Sequence, residues 1–256
     1  MKKISIIIPT FNSAKTITRC LSSVMKQTYK KWEIIIIDSY STDNTVNLIK
    51  NFNSKKIKFL FISRNKTISE ARYKGICNSK GDLIAFLDSD DEWCAKKLDF
   101  QISKMSNNKF FSCTNFTMKN NNKSYKVKIN KNFLNIKDLI YSRPIALSSV
   151  IIDKKTIKNT IKKNLSLNFA EDYFWWTDVL RTNRKCIVVR KFLTNIYIHD
   201  NNRSVNFMKN YISLFNIYRK NFRFNYIKIV FVFVRLIINT FSKNMFKILT
   251  FKKKLV

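Results

Sequence analysis

With 256 residues and 45% apolar positions, the chain is long enough for one domain, or a domain with an appendage, built on a substantial core. Its 49 Lys and Arg against 16 Asp and Glu give a net charge of +33, which suits an anionic partner: nucleic acid, an anionic membrane surface or a phosphorylated substrate. Five scattered cysteines, Cys20, Cys77, Cys94, Cys113 and Cys186, form no Cys-x-x-Cys pair, which argues against a disulfide framework or zinc site and for a reducing compartment. Lys and Asn abound along the whole chain, so part of the charge reflects composition rather than a binding surface. The apolar run Ile4 to Ile8, after Met1-Lys2-Lys3, is too short for a signal peptide and reads as a first strand.

In chain order, that strand is followed by a loop over Pro9 to Ser13 and a helix from Ala14 to Met25, in which Ile17, Cys20, Leu21 and Val24 recur at helical spacing. Trp32 to Asp38 is a continuous apolar run that ends in a carboxylate. Ser39 to Thr45 is a polar turn rich in N-cap residues and leads into a helix through Phe52. Ile57 to Ile62 reads as a strand, and Ser69 to Asn78 as a helix that leaves at Gly81. Leu83 to Leu87 is another buried strand, after which Asp88, Asp90, Asp91 and Glu92 place four carboxylates within five positions. Continuous apolar strands alternating with helices describe a doubly wound, largely parallel sheet, whose ligands gather at the C-terminal ends of its strands. Asp-x-Asp beside a third acid is a hard-oxygen set suited to Mg²⁺ or Mn²⁺. A solvated acidic turn is the competing reading of this stretch alone. No Gly-x-Gly-x-x-Gly or Walker sequence occurs, which excludes the usual NAD and P-loop sites.

Further on, the pattern predicts a helix over Ala95 to Met105, a strand over Phe110 to Met118, a loop or hairpin over Lys119 to Lys128, and a strand over Leu147 to Ile152. Glu171 and Asp172 open an apolar, aromatic helix, where acids complement the helix dipole. Cys186 to Val189 and Phe192 to His199 read as two closing strands. No acid follows Asp200, while eleven Lys and Arg lie between Lys209 and Lys254. Met208, Tyr211, Ile212, Phe215, Tyr218 and Phe222 form a helical stripe. Tyr226 to Phe241 carries an apolar span of about 13 positions broken by Arg235, short of the ~20 that cross a bilayer. It fits an in-plane interfacial helix, with Lys243, Lys247 and Lys252 to Lys254 near anionic headgroups. Packing of these helices on the domain, or on a partner subunit such as a second copy of the chain, is the alternative.

Five blocks in this order resemble the family-two glycosyltransferases of GT-A fold, a large group of bacterial inverting sugar transferases. They are Ile7-Ile8-Pro9-Thr10-Phe11-Asn12, Ile36-Ile37-Asp38 with Ser41-Thr42-Asp43-Asn44-Thr45, Ala71-Arg72-Tyr73-Lys74-Gly75-Ile76, Phe86-Leu87-Asp88-Ser89-Asp90-Asp91, and Glu171-Asp172-Tyr173. The resemblance implies an α/β GT-A fold, a Rossmann-like mixed sheet flanked by helices. Residues 1–93 would form the nucleotide-sugar half and 94–204 the acceptor half, followed by a basic amphipathic helical extension over 205–256. It implies a UDP-sugar donor lined by Pro9, Thr10, Asn12, Asp38, Ser41, Arg72, Asp88 and Ser89, with Asp38 accepting a hydrogen bond from the uracil and Arg72 reaching the diphosphate. The metal, Mn²⁺ or Mg²⁺, would be held by Asp90 with Asp88, and His199 resembles the family histidine that approaches the metal or diphosphate. Asp172 would be the general base, with Glu171 orienting it or binding the acceptor.

The expected enzyme extends a lipid-linked surface glycan such as lipopolysaccharide or capsule at the cytoplasmic face of the membrane, the membrane part being motivated by the basic, aromatic C-terminal segment, whose cations would lie on anionic lipid. The chain departs from the family where Ser39-Tyr40-Ser41 replaces Asp-Gly-Ser, losing an acid and a glycine at a turn. That departure motivates a second reading, a sugar-nucleotide binder without turnover. A nucleic-acid-binding protein is a third, but carboxylates at the strand ends repel phosphate unless a metal intervenes, and no nucleic-acid motif occurs.

Overall fold

The computed structural model describes residues 2–105, 111–120, 123–140, 142–182, 184–199 and 207–235. The first half alternates strand and helix: β1 (Ile4–Thr10), α1 (Ile17–Met25), β2 (Trp32–Asp38), α2 (Thr45–Lys50), β3 (Ile57–Phe61), α3 (Ile68–Cys77) and β4 (Leu83–Phe86). The second half adds β5 (Glu92–Trp93), α4 (Lys97–Lys104), β6 (Phe111–Asn120), β7 (Lys123–Val127), β8 (Phe133–Leu134), α5 (Ile136–Ile140), β9 (Ile151–Asp153), α6 (Lys154–Lys162), α7 (Glu171–Leu180), β10 (Cys186–Tyr197) and α8 (Phe207–Phe222). All ten strands belong to one mixed sheet, ordered β3-β2-β1-β4-β9-β6-β10-β5, with β7 beside β6 and β8 beside β10. The β3-β2-β1-β4 part is parallel, and β9 joins the two halves by antiparallel pairing to β4 and β6.

Because successive side chains on a strand point to opposite faces, one run of isoleucines feeds two cores. Ile4, Ile6, Ile8, Ile34 and Ile36 pack with Cys20, Leu21 and Val24 of α1 and Leu98 of α4. Ile7, Ile35 and Ile37 face the other side, with Ala71 and Ile76 of α3, Ile157 and Ile161 of α6, and Trp175 and Trp176 of α7. Continuous burial on both faces is what the unbroken apolar runs require.

The structure moves several expected elements. Pro9 and Thr10 continue β1, paired with Ile37 and Asp38, instead of starting a loop. The missing N–H of Pro9 is harmless there, because pairing to β4 has already ended at Ile7 and Phe86. Gly81 has no positive φ, so it is not a left-handed helix cap. A Cβ there would lie 2.7 Å from the Ser5 amide nitrogen and 2.8 Å from the Lys3 carbonyl oxygen, so glycine lets β4 start close against β1. Leu147 to Ser149 form a 3₁₀ turn and only Ile151–Asp153 pair as strand, because Ser149 Oγ donates back to the Ala146 carbonyl. The two expected closing strands are one, β10, with register shifts around Phe192. Helix α6 was hidden by its Lys and Asn content; Asp153 caps it, accepting from the Thr156 amide at 2.8 Å.

Leu214, Ile217 and Tyr218 of α8 are buried in the same core as α7, together with Ile229 and Val232 of the helical stretch 226–235. Tyr218 Oη lies 2.8 Å from Tyr173 Oη and donates to the Ile140 carbonyl. Packing on the domain is therefore the arrangement of α8, while Ile212, expected on the same stripe, is exposed. Phe110, Asp200 to Ser204 and Phe241, with Lys243, Lys247 and Lys252 to Lys254, lie outside the described residues, and so does the side chain of Met208. No helix among the described residues is long and apolar enough to cross a membrane.

Candidate active site

The C-terminal ends of β1, β2 and β4 lie side by side, so the loops after them share one rim of the sheet. Asp38, at the end of β2, is fully buried and organises that rim. Its Oδ2 accepts from Ser41 Oγ at 2.6 Å and Thr10 Oγ1 at 3.1 Å, and its Oδ1 accepts from the Ser41 amide at 2.8 Å. The Asn12 amide donates to Ser41 Oγ, Asn12 Oδ1 accepts from the Thr42 amide, and Ser13 Oγ lies 2.8 Å from Ser89 Oγ. Thr10, Asn12, Asp38, Ser41 and Ser89 thus take part in the hydrogen bonds of this rim, while Pro9 lies beside them in β1 as the partner of Ile37.

Two non-glycine residues of that rim, Asn12 and Tyr40, have φ of 46° and 56°. Tyr40, where the resemblance implies a glycine, therefore takes a left-handed conformation at a conformational cost. Arg64 holds the Tyr40 carbonyl, donating from Nε at 3.1 Å and from Nη2, and the Tyr40 ring stacks on Phe61 at 5.1 Å between centroids.

After β4, Asp88 and Asp90 are partly exposed, Asp90 the less so, and Asp91 is buried. Arg72, brought by α3 and only 2% exposed, donates from Nη2 to Asp88 Oδ1 at 2.8 Å and from Nη1 to Glu171 Oε1 at 2.9 Å. Burial opposes its charge, but Asp88 and Glu171 outweigh that and hold its pKa above the usual value. Arg72 therefore ties the acidic turn after β4 to Glu171, 99 residues beyond Arg72 itself, and reaches a diphosphate only if these pairs exchange.

Asp90 Oδ2 lies 3.0 Å from His199 Nε2. Burial, and then the neighbouring Asp88 charge, raise the Asp90 pKa. The Asp90 carbonyl accepts from Arg19 Nη2, whose guanidinium sits 3.6 Å from the centre of the Tyr197 ring. Asp91 is buried; it accepts from Ser148 Oγ at 2.5 Å and from the Tyr197 amide at 3.1 Å, and burial followed by the Asp90 and Asp88 charges pushes its pKa well up. Since Ser148 Oγ also accepts from the Asp88 amide, Asp91 and Ser148 pin the acidic turn to β10, the strand that leads to His199. Local spacing gave no sign of this brace, because its partners lie 57 and 106 residues from Asp91.

On the other side, Ala170 enters α7 with φ 53°, an unusual value for a residue with a side chain, and sets Glu171 and Asp172 in the first turn. Glu171 turns inward to Arg72. Asp172 is half-buried; its Oδ1 accepts from the Tyr173 amide at 2.8 Å and faces Arg143 Nη2 at 3.6 Å. Arg143 is a further residue that sequence spacing could not find, since only the fold brings it to α7.

Among the described residues no three metal-ligating side chains converge on one point. Mg²⁺ and Mn²⁺ at phosphate sites need only one or two carboxylates, the rest being water and substrate oxygens. The Asp90–His199 pair with Asp88 two residues away fits a cation of that kind, completed by a diphosphate.

The model of glycosyl transferase family 2 matches residues 5–174. The chain is 34% identical over 197 residues to the UDP-Glc:alpha-D-GlcNAc-diphosphoundecaprenol beta-1,3-glucosyltransferase WfgD of Escherichia coli, covering 76% of each protein. Among solved structures, TarS residues 1–349 of S. aureus in complex with UDP-GlcNAc superposes with a TM-score of 0.68 at 21% identity, over 84% of this chain and 65% of that one. The mannosyltransferase PcManGT of Pyrobaculum calidifontis, in complex with GDP-Man and Mn²⁺, gives a TM-score of 0.66 at 14% identity, over 88% and 65%. The mixed sheet, the acidic turn after β4, the acids that open α7 and these matches agree: the chain belongs to glycosyl transferase family 2, has the GT-A fold and is a glycosyltransferase.

Proposed function

We propose that the protein is a metal-dependent inverting transferase that moves a sugar from a UDP donor to a hydroxyl of a lipid-linked surface glycan, at the cytoplasmic face of the membrane. The observation that carries this reading is the Arg72 bridge, which ties Asp88 of the donor side to Glu171, the neighbour of Asp172 on the acceptor side. Two carboxylate clusters joined by one guanidinium suit a displacement in which the leaving group departs at one end and a proton is removed at the other. The WfgD relative, a β-glucosyltransferase whose acceptor is a lipid diphosphate, supports this acceptor class and a β-linked product.

Asp90 and His199, with Asp88, would hold Mn²⁺ or Mg²⁺, which when bound offsets the charge developing on the departing diphosphate. The rim around Asp38 and Ser41 orients the nucleoside. Asp172 takes the proton from the acceptor hydroxyl as that oxygen attacks the anomeric carbon from the face opposite the diphosphate, so the configuration inverts. Arg143 Nη2, 3.6 Å from Asp172 Oδ1, helps to orient the carboxylate.

Calorimetric titration with UDP and Mn²⁺ checks the donor side. UDP affinity is expected to depend on the cation and to fall at least roughly tenfold in Asp90→Ala, a loss on the order of one ion contact, with a smaller loss in His199→Ala. Cation-independent UDP binding in the wild type would remove the metal from the proposal. Tight UDP binding without transfer to any lipid-linked acceptor would favour the non-catalytic binder, the reading that the Tyr40 substitution motivates.

A further inference from the structure

The helical stretch 226–235 is apolar on two opposite faces. At about 100° per residue, Ile229, Val232 and Phe233 share one face, and Ile229 and Val232 are buried in the domain core. Ile227, Val230, Phe231 and Val234 recur at i, i+3, i+4 and i+7 on the opposite face, and all four are exposed, Ile227 by 81%. A surface helix of a globular protein normally turns its polar side to water. This one turns out four large apolar side chains, bordered by Lys228 and Arg235 along one flank and by Tyr226 on the other. We propose that this outer face is where the domain docks on an anionic bilayer, with the helix lying in the membrane plane and its inner face fixed to the catalytic core.

Two observations, together with the functional reading above, select a bilayer as the occupant. The flanking cations and the net charge of +33 complement anionic headgroups. A Tyr and basic side chains at the edges of an apolar stripe match the ordering across an interfacial zone, where long basic side chains reach out to the headgroups. The docking also rests on the functional reading above, whose acceptor is anchored in lipid. It adds an orientation: Ile229 and Val232 pack in the core that contains Tyr173 and Trp176 of α7, so docking by the outer face would hold the helix that carries Asp172 at a fixed height over the membrane.

The test is co-sedimentation of the full chain with phosphatidylcholine vesicles, with and without phosphatidylglycerol. The wild type is expected to bind the anionic vesicles, and Ile227→Asp/Phe231→Asp to lose at least roughly tenfold in partition, as expected when two large apolar groups no longer insert. A separate Phe231→Trp variant is expected to show fluorescence quenching, beyond that of the wild type, by lipids brominated in the acyl chains, a readout that does not depend on the stability of the double variant. UDP binding, measured in the same variants, should be unchanged. Equal vesicle binding by the double variant, together with no added quenching in Phe231→Trp, would overturn the inference. So would conversion of a wild-type dimer to a monomer in the double variant without any vesicle binding, since a second copy would then be the occupant. Vesicle binding with no UDP affinity would leave the docking face standing and sink the functional reading instead.

Discussion

Asp172→Asn is expected to lower kcat roughly a thousandfold while leaving UDP affinity and thermal stability close to wild type, the range spanned by loss of a positioned general base. The amide is nearly isosteric and its oxygen can still accept from the Tyr173 amide, so the first turn of α7 keeps its shape. What is lost is the ability to take a proton. The contact with Arg143, at 3.6 Å and partly exposed, contributes little to stability. Steady-state kinetics with a lipid-linked acceptor should therefore show a fall in kcat with little change in donor KM. A variant that retained full turnover would move the base elsewhere in the site.

The second large effect concerns the bridge. Arg72→Met leaves the carboxylate of Glu171, which is nearly buried, without its counter-charge. Removing one partner of a buried pair costs about 3–5 kcal/mol, and the lower end applies because the other partner, Asp88, is about one-third exposed. For a chain of this size that corresponds to a fall in melting temperature of about 10 °C. Turnover should fall as well, because the bridge fixes the first turn of α7 against the acidic turn. The double variant Arg72→Met/Glu171→Gln is expected to recover much of the stability, since a neutral amide needs no cation, but not the turnover. Arg72→Lys tests the fork itself: a single ammonium cannot hold both carboxylates in the geometry of the guanidinium. An unchanged melting temperature in Arg72→Met would show that the two ion pairs carry no stabilisation.

The parallel half of the sheet was legible because Ile4 to Ile8, Ile34 to Ile37 and Leu83 to Leu87 are buried on both faces, where a strand is almost wholly apolar; Ser5, the polar exception, is satisfied by hydrogen bonds to Glu33 and the Gly81 amide. The donor-side residues were legible for a related reason: carboxylates at the ends of such runs stand out. The second half was less readable. Strand β9 has three residues, and α6 has four Lys and two Thr among its nine residues with only two apolar positions, so tertiary contacts rather than local pattern define them. The partners that set the site geometry, Ser148 for Asp91, Arg143 for Asp172 and Glu171 for Arg72, lie far from those residues in sequence and become neighbours only through the order of the strands. Tyr40 is the instructive case. Its sequence showed that a glycine and an acid were missing, but not that Tyr40 takes a left-handed φ of 56° with its carbonyl held by Arg64 and its ring stacked on Phe61.

The central claim is that one site joins a nucleotide-sugar end to a base that deprotonates the acceptor hydroxyl, whose oxygen attacks from the face opposite the diphosphate. It is tested most directly by the anomeric configuration of the product formed from an α-linked UDP-sugar and a GlcNAc-diphospholipid acceptor in the presence of Mn²⁺. Proton NMR of the purified product should show the large trans-diaxial coupling of a β-linked gluco-configured sugar, and Asp172→Asn should yield almost none of that product. An α-linked product would contradict the account, since a single displacement with Asp172 as base cannot retain the donor's configuration.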